Sequence, residues 1–157
     1  MATLVYTSEK VQSGTAFTGT APGAGNPTVS GTVSSATDWS DHIKSATLAL
    51  ASNMVDFTTL GDGGWEVAKP GLKSGTLTVD FNADFSSSVD ATFGPAILAD
   101  TLFYFDLMPT SSSRSSSNPS YVVAAYATNY DVGGAVGDRA SVTVSFKVTG
   151  KPGRLTS

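Results

Sequence analysis

Two runs in this chain alternate strictly between apolar and polar residues, and they restrict the folds open to it. In the first, Leu77, Val79 and Phe81 alternate with Thr76, Thr78 and Asp80; in the second, Val142, Val144, Phe146 and Val148 alternate with Thr143, Ser145, Lys147 and Thr149. A period of two places every apolar side chain of a run on one side of an extended strand. The expected core therefore includes Leu77, Val79, Phe81, Val142, Val144, Phe146 and Val148, on half-buried strands over about 74 to 82 and 142 to 149.

Further strands follow from the same reasoning. Ala46, Leu48 and Leu50 predict one over about 45 to 51, and Val55 and Phe57 a shorter one over about 53 to 58 before the turn at Gly61-Asp62-Gly63-Gly64. Trp65 is expected to pack its loop against the core, and Pro70-Gly71 to form the next turn. Leu102 to Met108, apolar on both sides except for Asp106, reads as a strand covered on both faces, and Tyr121 to Thr128 as another. Asp131 to Asp138 reads as a turn, and Gly150-Lys151-Pro152-Gly153 as the end of the last strand. Between these, Val89, Phe93, Ile97 and Leu98 share a helical face behind a Ser N-cap, and Gly94-Pro95 keeps that helix short. Strands without βαβ alternation give a mainly β fold, an antiparallel sandwich or open barrel with one short helix.

The 157 residues are expected to form one domain, with an irregular arm over 1–44, a sandwich core over 45–150 and a tail over 151–157. The Gly, Thr, Ser, Ala and Pro of residues 13–40 fit either a flexible arm or an irregular hairpin that orders only against a neighbouring subunit. Removing 1–44 should then leave a folded domain that no longer assembles.

Only 14% of the chain is charged, against roughly a quarter in an average globular protein. Sparse charge guards poorly against self-association. A net charge of −4 and a pI near 4.7 argue against tight binding to nucleic-acid phosphates. No cysteine is present, which excludes disulfides and thiolate metal sites. The beginning of the chain has no signal-peptide pattern and no run is long enough to span a membrane, so a soluble, unprocessed product is expected.

Residues for chemistry are scarce. His42 is the single histidine and reads as solvated or structural. No Gly-x-Ser-x-Gly elbow or phosphate-binding loop occurs, and Ser111 to Ser117 reads as a flexible loop. Asp80, Asp84 and Asp90 lack the spacing of a calcium loop. No catalytic residue, metal ligand or cofactor is assigned.

The order of Trp65 to Leu77, the acids from Asp80 to Asp84, the short helix, Asn118-Pro119-Ser120-Tyr121, Gly137-Asp138 and Phe146 to Pro152 resembles the major tail tube protein of long-tailed bacteriophages. The resemblance spans about Ser45 to Pro152. It implies a virion protein, made in the host cytoplasm, whose hexameric rings close a shared β-barrel and stack head to tail around a channel for the genome. It further implies tape measure, tail terminator and distal tail proteins as partners, DNA that passes without specific binding, and no membrane contact. Asp80, Asp84 and Asp106 are then candidates to face a net negative lumen, with Lys147, Lys151 and Arg154 towards the outside or a subunit interface. The other readings open to the sequence are a head-decoration protein, a receptor-binding lectin, a fimbrial subunit, or the inner tube of a contractile tail.

Overall fold

A computed structural model describes residues 10–23, 28–83 and 88–157. Its strands are β1 (Lys10–Gly14), β2 (Ala16–Thr20), β3 (Ser30–Ser34), β4 (Thr37–Asp38), β5 (Ile43–Asp56), β6 (Ala68–Asn82), β7 (Leu102–Met108), β8 (Ser120–Gly133) and β9 (Ser141–Leu155). The helix α1 (Ser88–Ala96) lies between β6 and β7. Seven strands form one sheet in the order β4-β1-β7-β8-β9-β6-β5, with every pair antiparallel, and β2 and β3 form a separate two-stranded ribbon.

The two alternating runs are neighbours in this sheet. Leu77 lies opposite Phe146, Val79 opposite Val144 and Phe81 opposite Val142, and all six are buried. Helix α1 closes the core over them through Val89 and Phe93, both buried. The Phe93 ring is surrounded by Trp39 at 5.1 Å, Phe81 and Phe103 at 5.3 Å and Phe146 at 5.6 Å between centroids. Such tilted and edge-on aromatic pairs add to the stabilisation from buried area alone. Val148 is half-buried and packs against the margin of this cluster, so the core thins out one pair of residues earlier than the alternation predicts.

The irregular arm expected over 1–44 is corrected from Lys10 onward. β1 sits inside the main sheet between β4 and β7, and Val11 and Trp39 are core residues. The ribbon of β2 and β3 packs on β7, where Phe17 meets Tyr104 at 5.4 Å. Gly19 and Gly31 face each other across it with φ of 109° and 116°, and a Cβ on either would collide with the backbone opposite. Only glycine fits both the torsion and the approach. The part of the arm before residue 10, and residues 24–27, lie outside the described residues.

Other boundaries move for local reasons. The two strands expected over 45 to 58 are one, β5, whose second register shift, between Ser52 and Met54, falls at the expected break. Pro70-Gly71 lies inside β6, in the part that β9 does not reach, where a missing N–H costs no bond to a third strand. β8 runs on through Asp131 to Gly133. β9 does not end at Gly150: a register shift carries it through Pro152 to Leu155, and Gly153 leaves room for the Val29 side chain.

Candidate assembly surfaces

β5 and β6 pair from Ile43 opposite Phe81 out to Asp56 opposite Ala68, but β9 accompanies β6 only over residues 76–82. Beyond Thr76 the two strands have only each other. Eight residues of β6 project in this way, roughly 27 Å of extended chain. Polar bonds build the tip: Phe57 N–H donates to the Val67 carbonyl at 2.7 Å, Val67 N–H to Thr58 Oγ1 at 2.9 Å, and Thr59 N–H to Asp62 Oδ2 at 2.5 Å. The hydroxyl and N–H of Thr58 hold the Asp56 carboxyl below the usual carboxylate range, and the N–H and hydroxyl of Thr59 do the same for Asp62.

The ribbon's side chains are unusually apolar for exposed positions. Leu60 is 108% exposed, Leu72 87% and Trp65 80%, and Met54, Val55 and Phe57 are also open to solvent. Trp65 thus does not pack against the core, contrary to the sequence expectation. Across the ribbon, Met54 lies opposite Pro70 and Val55 opposite Lys69, so successive residues put apolar atoms on both faces. Lys69 Nζ caps the Phe57 ring at 5.1 Å. A concentration of exposed apolar side chains on one appendage marks an interaction surface.

The second surface is the outward side of β5, β6, β9 and β8. Ser45, Thr47, Thr76, Thr78, Thr143 and Ser145 alternate there with the buried residues. Asp80 accepts from Ser45 Oγ at 2.6 Å and from Thr143 Oγ1 at 2.6 Å. The Ser45 hydroxyl, then that of Thr143, lower its pKa, with help from Lys44. Asp131 flanks Thr143 from the other side through β8, and Lys147 lies opposite Thr76 and Tyr126.

The sequence-predicted acids therefore separate. Asp80 stands on this polar face. Asp84 lies outside the described residues. Asp106 is corrected: it is 4% exposed, its Oδ2 pairs with Arg114 Nη2 at 2.7 Å and its Oδ1 accepts from Ser120 Oγ. Arg114 Nη1 also donates to the Gly31 carbonyl at 2.9 Å, tying the serine-rich loop to the β2–β3 ribbon. That loop is organised, since Asn118 Oδ1 accepts from Thr110 N–H and Nδ2 donates to the Ser112 carbonyl. Lys147, expected towards the outside or a subunit interface, lies on the same face as Asp80. Asp131 was missed through an early end to β8. Arg114 was missed although a lone carboxylate in an apolar strand requires a buried cation nearby.

The His42 ring lies against that of Trp39, 6.3 Å between centroids, in an edge-on contact. Among the described residues no three histidine or acidic side chains cluster in a way that would hold a metal, and no helix is long and apolar enough to cross a membrane.

No protein-family model matches the chain, and no curated protein matches it. Solved structures do. The tail of an empty gene transfer agent particle, refined with C6 symmetry, matches at a TM-score of 0.60 and 15% identity, over 74% of this chain and 83% of that one. The SPP1 tail tube matches at 0.63 and 12%, over 96% and 77%. A chain of the sixfold-symmetrised baseplate of the anti-feeding prophage matches at 0.65 and 10%, over 99% and 97%. These are likenesses of fold: the chain shares the fold of chains from the gene transfer agent tail, the SPP1 tail tube and the anti-feeding prophage baseplate.

Proposed function

We propose that the chain is a major tail tube subunit, a structural virion protein whose residues 1–157 act as one domain. Six copies form a ring, and rings stack head to tail into a conduit for DNA. The observation that carries this reading is the projecting β5–β6 ribbon, with large apolar side chains exposed on both faces of an otherwise well-packed domain. Assembly is what covers them. The sheet also ends in β5, a 14-residue edge that a monomer leaves open, whereas the opposite edge, β4, has two residues. Closing β5 against a neighbour in a ring removes the hazard.

In this reading the hydroxyl-rich side of β5, β6, β9 and β8 lines the channel. Asp80 and Asp131 stand there against Lys147 and, beside Asp80, Lys44, so these charges balance. A near-neutral, hydroxylated wall neither grips phosphates nor repels them strongly. Tape measure, terminator and distal tail proteins are the partners such a tube requires.

Negative-stain electron microscopy of the purified protein tests this. Hollow sixfold tubes are the expected result, and a protein that stays monomeric at high concentration overturns it. The nearly complete mutual coverage with the anti-feeding prophage baseplate chain favours a second reading, a ring of a contractile system's inner tube or baseplate. Single rings or short stacks in place of long tubes would select it.

A further inference from the structure

Resting on the tube reading, we propose that the ribbon tip of one copy seats in a groove at the base of the same ribbon on a second copy. The groove, of about 570 Å³, is lined by Leu50, Ser52, Lys73, Gly75, Val148 and Pro152. Gly75 makes its floor: a Cβ there would stand 2.9 Å from Leu50 Cδ2 and 3.0 Å from Val148 Cβ, so the missing side chain lets both close over the backbone. The result is a cradle floored by apolar atoms with two lysines, Lys73 and Lys151, in its lining, at the end of the core where Val148 is only half-buried.

The tip has the complementary chemistry. Leu60 and Trp65 are exposed and apolar, while Asp62 and Glu66 add negative charge beside them. The hydrogen bonds from Thr59 keep Asp62 ionised and fixed in direction. An acidic, aromatic tip entering a groove with an apolar floor, edged by Lys73, buries the large side chains and pairs the charges at the rim, the usual division between the centre and margin of an interface. Tip and groove are different surfaces of one chain. Seated head to tail, the contact propagates from copy to copy along the ribbon by roughly 30 Å, the span from groove to tip, and a reciprocal exchange between two copies, which would stop at a disulfide-linked dimer, is an outcome that overturns it.

Cysteine pairing reads this contact directly, because the native chain has no cysteine. A chain carrying both E66C and K73C should give, on mild oxidation, a ladder of disulfide-linked oligomers, whereas E66C alone should give dimers at most. In parallel, K73E should raise the protein concentration needed for assembly about threefold to tenfold, and K73E combined with E66K should bring it back within about twofold, the range expected of a marginal ion pair. Circular dichroism checks that each variant is folded. Tubes in the microscope without a ladder, or without rescue by the double charge reversal, overturn the groove assignment and leave the tube reading standing. A ladder without rings or tubes supports the contact and overturns the tube reading. Neither ladder nor tubes overturns both.

Discussion

The indole Nε1–H of Trp39 donates to the hydroxyl of Ser13 at 2.7 Å, and both residues are buried. That bond joins β1 to the segment that enters β5, and it makes the first strand part of the folding unit. Deleting residues 1–44 is accordingly expected to abolish the folded domain, the reverse of what an irregular arm would allow. Loss of the cooperative thermal transition would show it. Ser13→Ala, which strands a buried donor, should cost about 1–3 kcal/mol by denaturant titration.

The margin of the core can be measured by comparing two residues of one strand. Phe146 is fully buried, with its ring 4.6 Å from that of Phe105, and Phe146→Ala should cost about 3–5 kcal/mol. Val148→Ala, at a half-buried site, should cost about 1 kcal/mol or less. Equal costs would mean that Val148 belongs to the core proper.

Arg114→Ala should destabilise by about 3 kcal/mol, because it leaves the Asp106 carboxylate buried without its cation. Arg114→Lys should recover only part of this. A single ammonium cannot reproduce the two-pronged reach of the guanidinium to Asp106 and to the Gly31 carbonyl. Chemical denaturation of the three proteins at one pH provides the comparison.

Tyr130 donates its hydroxyl to Asp90 Oδ1 at 2.7 Å, fastening β8 to the first turn of α1. Burial, followed by the bond to and charge of Asp90, pushes its pKa up to about 12. The folded state therefore holds this proton more tightly than the unfolded chain, whose tyrosine ionises near pH 10. Its contribution is complete below about pH 10 and declines as the pH rises towards 12. Tyr130→Phe should flatten the fall in stability across that interval, measured by urea midpoints.

What could be read from the sequence follows from how each segment is buried. The runs at 74–82 and 142–149 have one wet side and one dry side, so their alternation is written in residue type. The β2–β3 ribbon carries no such record. Its cross-strand Gly19 and Gly31 give it the composition of a loop, and its order depends on contact with β7. Trp65 misled for a different reason: a large aromatic in one chain is expected inside, and nothing in a single sequence distinguishes the inside of a domain from the inside of an assembly. Asp106 and Asp80 look alike as acids that interrupt apolar strands, and only the position of Arg114 separates them.

If the chain assembles as proposed, the ribbon beyond Thr76 also bears on how fast polymers appear. Two strands with no third to support them are marginally ordered in water, so the first encounter must fix the ribbon before its apolar side chains are covered. Each later copy meets a ribbon already held by its neighbours. Growth from an existing end is then quick and spontaneous initiation slow, and the protein in isolation should show a concentration-dependent lag that a preformed seed removes.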